Sequence, residues 1–310
     1  MVTRRHFLGS VAALGTNVVV HPGAVALQDG EPSRTAQSAA LHRAAHQILD
    51  VPHVLDDALA LTIIGPERRR LLEASLALRQ QAGSRAMRAF IVARSRYAED
   101  ELALAVPQGT RQYIVLGAGL DTFAYRNPHG ESVRVLEVDH PSTQAWKRKQ
   151  LAEQGIAVPS SLGFVAVDFE KDLLAYRLQQ AGFDSTAPAF VSWLGVTMYL
   201  GREAVMQTLQ LVARTCARGS RIVFDFSLPD EMLPVAQKAR RDERARKVAS
   251  LGEPWISHFA PGPLADDLLA MGFRTAELTG APELNERYFA SRADGLRVMG
   301  SSARIVNASV

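Results

Sequence analysis

The sequence lacks the features that hold small secreted or metal-binding folds together. Its 310 residues include one cysteine, Cys216, which excludes an internal disulfide framework and a cysteine-based zinc cluster. No apolar run is long enough to cross a membrane as a helix, so we expect no stable membrane insertion. The net charge of +3 is too small to indicate a nucleic-acid partner, and we expect none.

What is present is an ordinary globular composition, with 47% hydrophobic and 22% charged residues. Residues 1–30 differ from the rest: Arg4 and Arg5 form a twin-arginine pattern, an apolar stretch follows over 7–20, and Ala24-Val-Ala resembles a cleavage site. We interpret 1–30 as a twin-arginine-type signal segment, which takes no part in the fold. The alternatives are a chance basic N-terminus and a true start further downstream.

The pattern of apolar residues changes near residue 107. Helical periodicity dominates residues 34–106 and predicts one long helix from residue 67 to about residue 106. Beyond it, short apolar segments alternate with helical ones, which predicts a parallel sheet covered on both faces. We expect the last two strands to form a hairpin-like pair joined by a long connection. The predicted strands are 112–116, 133–138, 163–167, 189–194, 220–226, 274–278 and 303–307.

The most informative segment is the end of the first predicted strand. The run 112–116 ends in Gly117-Ala-Gly119, and Asp121 follows two positions later. Such glycines let the chain turn tightly and let a nucleotide-type cofactor approach the main chain. A dinucleotide fingerprint needs a third glycine where Thr122 stands, and a long helix for which the next strand leaves little room. The motif therefore suits S-adenosylmethionine, which has no phosphates, although a simple tight turn explains Gly-x-Gly equally well.

Acidic or small residues also end the next three predicted strands. Asp139 can accept hydrogen bonds from both ribose hydroxyls. Asp168 can accept the adenine amino hydrogens, with Phe169 against the ring, while Gly195 leaves room near the sulfonium and Tyr199 is within reach of a substrate. Either aspartate alone could instead cap the following helix. Together, the strand ends in this order are what one adenosine pocket requires.

These motifs resemble the leucine carboxyl methyltransferase-like family, most closely its bacterial, largely mycobacterial and actinobacterial, branch of S-adenosylmethionine-dependent methyltransferases. The resemblance covers roughly residues 34–308. It implies an α/β class I methyltransferase fold: a Rossmann-like, seven-stranded, mostly parallel sheet with helices on both faces, an N-terminal helical extension and a helical lid. The segments that carry it are 34–46, 92–97, 116–126, 137–141, 167–169, 195–200 and 252–255.

The resemblance also implies roles outside the strand ends. Arg94 matches an arginine that pairs with the cofactor carboxylate, and Arg43 is the candidate for a second basic contact. The sequence departs from the family at Leu194, where many relatives have a glutamate. The methionine ammonium then needs another acceptor, for which the Gly117 carbonyl and Asp121 are the candidates.

We therefore expect three parts: the signal segment, an N-terminal helical part over 34–106, and a methyltransferase core over 107–310 with a lid over 228–260. The predicted reaction is in-line methyl transfer to a carboxylate or hydroxyl oxygen of a small molecule or peptide. A carboxylate is already ionised and needs no general base, whereas a hydroxyl needs one.

The candidate bases are Tyr199 and His258, and Tyr199 and Trp255 are expected to shape the acceptor pocket. His42 and His46 share a helix face, but we interpret them as a surface or core pair, not as a metal site. The basic run 238–247 is expected to be a solvated helix face, or a basic lid that favours an acidic substrate.

Two other functions stay open at this point. One is an NAD(P)-dependent oxidoreductase, which the missing third glycine disfavours. The other is an exported, non-catalytic binding protein, which only the signal segment supports. Because S-adenosylmethionine is made inside the cell, we expect a cytoplasmic site of action, with export by the twin-arginine route as the alternative.

Overall fold

The structure, a computed structural model, describes residues 33–168, 172–300 and 302–310. The predicted signal segment 1–30 and Phe169 therefore lie outside the described residues. At the centre is one seven-stranded sheet. Its strands are β1 (Gln112–Leu116), β2 (Arg134–Asp139), β3 (Leu162–Ala166), β4 (Ala189–Trp193), β5 (Arg221–Ser227), β6 (Thr275–Thr279) and β7 (Ala303–Ser309).

The strand order is β3-β2-β1-β4-β5-β7-β6. The first five strands in this order pair in parallel, and β7 pairs antiparallel with both β5 and β6. The predicted parallel sheet with a late antiparallel pair is thus confirmed. The chain winds outward from β1 to β3 and then returns to place β4 on the other side of β1. Ligands bind at such a switch point, outside the carboxyl ends of the strands.

Alternate residues of β1 pack against different helices, because successive side chains of a strand point to opposite faces. Ile114 and Leu116 belong to a core with the helices over 174–180, 202–215 and 261–271. Tyr113 and Val115 belong to a core with the helices over 82–105 and 281–289. The helices are α1 (Arg34–Leu49), α2 (Leu59–Ile63), α3 (Pro66–Ala74), α4 (Leu76–Arg79), α5 (Ala82–Ala105), α6 (Pro141–Glu153), α7 (Leu174–Gln180), α8 (Arg202–Thr215), α9 (Val235–Ser250), α10 (Pro261–Met271) and α11 (Ala281–Phe289).

The helical part corrects one expectation. The single helix expected from residue 67 to about 106 is wrong, because α3, α4 and α5 occupy this stretch. At the first break, the Ser75 hydroxyl donates to the Leu72 carbonyl at 3.1 Å, and such side-chain bonds compete with continued helix. The connection before β7 also contains α11, which starts with a proline at its first turn and with the Glu283 carboxylate accepting the Gly280 N–H at 2.8 Å.

The N-terminal helices cover one end of the sheet. Small buried residues of α1, including Ala40 and Ala44, pack with Ile63 of α2, Leu120 after β1 and Leu151 of α6. This packing lays α1 over the carboxyl end of β1. Within the part of the chain that the structure describes, no helix is both long and apolar enough to span a membrane.

Candidate functional site

A large cavity opens at the carboxyl ends of β1 and β4. Its volume is about 1520 Å³, above the roughly 300–1,000 Å³ of a pocket for one small molecule. The cavity is therefore large enough for a nucleoside cofactor together with an acceptor. Besides the strand ends, it is lined by α1, α4, α5, the 3₁₀ helix Thr197–Tyr199 and α9.

The turn after β1 forms the floor of the cavity. Gly117 and Gly119 have φ angles of +64° and +47°, a region that disfavours residues with a Cβ. A Cβ at Gly117 would overlap Val196, and one at Gly119 would lie 2.9 Å from the Ala36 Cβ. The glycines are thus required by the backbone and by the close approach of α1, in addition to any ligand.

Asp139, the last residue of β2, contacts the turn after β1. One of its carboxylate oxygens accepts the Gly119 N–H, and the other accepts the His140 N–H at 2.7 Å. Burial raises the pKa of Asp139, against the effect of these hydrogen bonds. His140, not Asp139, caps α6, so the helix-cap interpretation of Asp139 is wrong. A carboxylate has about four acceptor positions, which leaves this residue able to accept ligand hydroxyls.

Side chains of α6 and α1 also support the turn after β1. The Lys147 ammonium donates to the Asp121 carbonyl at 2.7 Å and to the Glu137 carboxylate at 2.6 Å. Burial raises the pKa of Glu137 to about 7, although Lys147 acts in the opposite direction.

The Asp121 carboxylate accepts the Phe123 N–H at 2.8 Å, and Arg43 donates to the Leu120 carbonyl and to Asp57. Arg43 therefore lines the cavity as a support of the turn.

Asp168 lines the same cavity, just after β3. Its backbone N–H donates to the Asp172 carboxylate at 2.8 Å, and α7 begins only after Leu173. Asp168 is therefore not the cap of the next helix. The fourth strand end brings Gly195, with a φ of +75°, to the same cavity.

Arg94 of α5 lies directly over Gly195, where a Cβ would be within about 3 Å of the guanidinium. Its Nη1 donates to the Asp225 carboxylate at 2.8 Å, and the other oxygen of Asp225 accepts the Gly195 N–H. The Nε of Arg94 is buried and has no hydrogen-bond partner among the described residues. A guanidinium so placed has donors left for a ligand carboxylate.

Tyr199 and Trp255 line the cavity under the N-terminus of α1. Burial raises the pKa of Tyr199, while Trp255 and Thr35 beside its hydroxyl act in the opposite direction. The adjacent Glu253 carboxylate accepts the N–H groups of Arg34 and Thr35 at 2.8 and 3.0 Å. A carboxylate at a helix N-terminus is stabilising, so Glu253 fastens the loop before Trp255 to α1.

His258 is not among the described residues that line the cavity. Burial, followed by the charge of Arg241, lowers the pKa of His258. Arg241 itself is buried and pairs with Asp230 and Asp242, so this member of the basic run anchors α9. The other basic side chains of α9 that line the cavity are Arg240, Arg244 and Lys247.

The structure thus brings most of the predicted site together. The predicted residues around the cavity are Arg94, Gly117, Gly119, Asp121, Asp139, Asp168, Gly195, Tyr199 and Trp255. Sequence reasoning missed Asp225, although a charged residue within the apolar strand β5 is a signal that could have indicated it. It also missed the contact of Glu253 with the N-terminus of α1, because no local pattern links residues so far apart in sequence. Within the described ranges, no group of three or more His, Cys, Asp or Glu side chains is placed to hold a metal ion.

Comparison with known proteins identifies the family of the chain. The sequence model of the family "Leucine carboxyl methyltransferase" matches residues 36–213. A Bacillus subtilis protein, named provisionally as an S-adenosyl-L-methionine-dependent methyltransferase, is 31% identical over 293 residues, which span 87% of this chain and 95% of that protein.

Solved structures of similar fold include a DUF574 family protein from Streptomyces avermitilis, with a TM-score of 0.56 and 17% identity. They also include a protein from Thermobifida fusca, named provisionally as a methyltransferase, with a TM-score of 0.55 and 19% identity. The alignments cover 91% of this chain in both cases, and 98% and 96% of those chains. The α/β fold of class I methyltransferases is therefore confirmed, and the chain belongs to the leucine carboxyl methyltransferase family.

Proposed function

We infer that the protein is an S-adenosylmethionine-dependent methyltransferase that methylates an oxygen, most favourably a carboxylate, of a small molecule or peptide. The observation that carries this inference is the convergence of Gly117, Asp139 and Asp168 on one cavity at the switch point of the sheet. Family membership supports the methyl donor. An NAD(P)-dependent oxidoreductase is not supported, because the turn after β1 leads into a 3₁₀ helix and has no long helix for a pyrophosphate.

The donor set fits S-adenosylmethionine. Asp139 would bind the ribose hydroxyls, Asp168 the adenine amino group, and Arg94 the carboxylate of the methionine part. For the ammonium, the Gly117 carbonyl and Asp121 stay the candidates, since both residues line the cavity. Asp225 is fully buried and serves to position Arg94. Phe169, proposed to lie against the adenine, belongs to the part of the chain that the structure leaves undescribed.

When bound, S-adenosylmethionine supplies an electrophilic methyl group on its sulfonium. The residues of the chain then have to align the acceptor and exclude water, and alignment alone supplies up to roughly 10 kcal/mol in model reactions. Burial keeps the Tyr199 phenol protonated at neutral pH, which suits a hydrogen-bond donor and not a general base. His258 lies away from the cavity lining. Neither candidate base is therefore suited to take a proton from the acceptor, which favours a carboxylate because it is already ionised.

The segment 228–260 is proposed as the lid. It contains α9, whose Gln237, Arg244 and Lys247 line the cavity, and the loop that Glu253 fastens to α1. The helical part 34–106 and the core 107–310 would then build the site together, since α1 and α5 contribute Thr35 and Arg94.

The first test is calorimetric titration of the protein with S-adenosylmethionine and, separately, with NADH. We expect binding of S-adenosylmethionine only, and binding of NADH alone would refute the proposed function. The second test uses labelled donor and a metabolite extract, followed by alkaline treatment of the products. Methyl esters release volatile methanol under alkali and methyl ethers do not, so label that stays non-volatile would contradict a carboxylate acceptor.

We propose that the enzyme works in the cytoplasm, where its methyl donor is made. N-terminal sequencing of the native protein tests this proposal. A mature start near Leu27 would contradict it and would favour export by the twin-arginine route.

A further inference from the structure

The cavity has a second end, away from the strand ends. The lining residues of α5 are spaced along one helix face, from Gly83 through Met87 and Phe90 to Arg94. At 1.5 Å per residue, the eleven steps from Gly83 to Arg94 span roughly 16 Å. Arg94 marks the cofactor end beside Gly195, and Gly83 therefore marks a distal end.

Three basic side chains from three different helices surround this distal end. The Arg244 guanidinium of α9 donates to the Gly83 carbonyl at 3.2 Å. Arg79, at the end of α4, and His42 of α1 line the same cavity. The lining residues of α1 run from Thr35 to Arg43, so α1 also lies along the cavity.

The positive charge at the distal end is poorly compensated. No ion pair or hydrogen bond of the Arg79 guanidinium exists within the described residues. Burial and the neighbouring Arg240 lower the pKa of Arg244. Of the carboxylates that line the cavity, Glu243 lies next to Arg244 and acts to raise its pKa. The others are Asp121, Asp139 and Asp168 at the strand ends and Glu253 at the N-terminus of α1.

His42 adds an independent observation. Its side chain is only 8% exposed, and its Nδ1 atom is buried without a hydrogen-bond partner in the described part of the chain. Burial, with the charges of Arg79, Arg88 and Arg244, lowers the pKa of His42 to about 3, so the ring is neutral at working pH. An unsatisfied buried polar atom costs about 1–3 kcal/mol, and a bound group would satisfy it once the ring turns this atom towards the cavity.

We propose that His42, Arg79 and Arg244 form a subsite for a second anionic group of the methyl acceptor. The acceptor is then an elongated molecule with an anionic group, such as a carboxylate, at each end. One end lies near the donor and is methylated, and the other is held by the two guanidinium groups, with a hydrogen bond to the His42 ring. This inference rests on the proposed function, because it needs the cofactor at the Arg94 end.

The test is calorimetric titration of the full chain, saturated with S-adenosylhomocysteine, with dicarboxylates from adipate to dodecanedioate. Each is compared with the monocarboxylate of equal length. Charge-assisted hydrogen bonds contribute about 1.5–3 kcal/mol, so at least one dicarboxylate should bind about tenfold or more tightly than its partner. If no dicarboxylate is preferred, or if no carboxylate binds, the subsite is refuted.

The double variant Arg79→Gln with Arg244→Gln should lose this preference. The control Arg246→Gln, on an exposed position of α9 outside the cavity lining, should keep it. A preference that survives in the double variant would overturn the proposal. His42→Phe alone provides a second measurement if the double variant does not fold, because it keeps an aromatic ring and removes both nitrogens.

The titration with S-adenosylhomocysteine distinguishes failure of the distal subsite from failure of the proposed function. Failure of the wild-type chain to bind it would count against the proposed function. Normal binding of it, combined with equal affinity for mono- and dicarboxylates, would remove the distal subsite and leave the methyltransferase function standing.

Discussion

The two ends of the cavity are built by different means. At the cofactor end, short turns after β1, β2, β3 and β4 present Gly117, Asp139, Asp168 and Gly195. At the distal end, His42, Arg79 and Arg244 come from three helices that are not neighbours in sequence. The carboxyl ends of parallel strands meet at one edge by topology, whereas the position of a helix over that edge depends on packing. The first end therefore follows from local motifs, and the second does not.

At the cofactor end, we expect the largest loss of affinity from the substitution Asp139→Ala. The variant removes a charged acceptor for two hydroxyls and also the partner of the Gly119 N–H. With about 1.5 kcal/mol for each hydrogen bond to a charged group, we expect S-adenosylmethionine to bind about 100-fold more weakly. Calorimetric titration measures this change.

Asp184→Ala is the matched control, because this exposed aspartate lies before β4, at the opposite edge of the sheet. We expect its affinity to stay within about twofold of the wild type. An unchanged affinity in Asp139→Ala would show that the carboxylate only supports the turn.

At the distal end, His42 should make the free energy of unfolding depend on pH. In the folded chain the pKa of His42 is lowered to about 3, whereas in the unfolded chain a histidine binds a proton below about pH 6.5. The stability that a neutral His42 provides is therefore complete above this pH and decreases as the pH falls. At about 1.4 kcal/mol per pH unit, the loss between pH 6.5 and pH 5 is about 2 kcal/mol.

His42→Phe has no such dependence, so its free energy of unfolding relative to the wild type should rise by about 2 kcal/mol from pH 7 to pH 5. Urea unfolding at both pH values measures this difference. Groups that change the stability with pH in the opposite direction, such as Glu137 with its pKa raised to about 7, are present in both the wild type and the variant. Their contributions to the difference in free energy of unfolding therefore cancel. A difference that is the same at both pH values would contradict a buried neutral ring.

The smallest expected effect concerns the N-terminus of α1, where Glu253 accepts two backbone N–H groups. Glu253→Ala leaves the N–H groups of Arg34 and Thr35 without their carboxylate. A carboxylate at a helix N-terminus contributes about 0.3–1 kcal/mol, and urea unfolding should show a decrease of this size. Glu286→Ala, at an exposed position of α11, serves as the control. If both variants lose the same small amount, the contact with α1 is not stabilising.

Much of the sheet could be predicted because each strand carries its own local signal. The predicted strand 112–116 agrees with β1, and the other six differ at their ends by one or two residues. The break at Ser75 could not be predicted, because helix-forming residues surround it and only a hydroxyl contact interrupts the helix. Asp225 was missed for a related reason: its partners Arg94 and Gly195 come from α5 and from the end of β4.

The sequence by itself determined the order of the elements, the alternation that requires a parallel sheet, and the residues at the strand ends. These are properties of neighbouring residues, set by side-chain periodicity and by the backbone freedom of glycine. Only the tertiary structure decided that α1 covers the turn after β1, that Asp225 holds Arg94, and that His42 faces the same cavity as Arg79 and Arg244. These contacts join residues far apart in the chain, and they form only when the helices pack on the sheet.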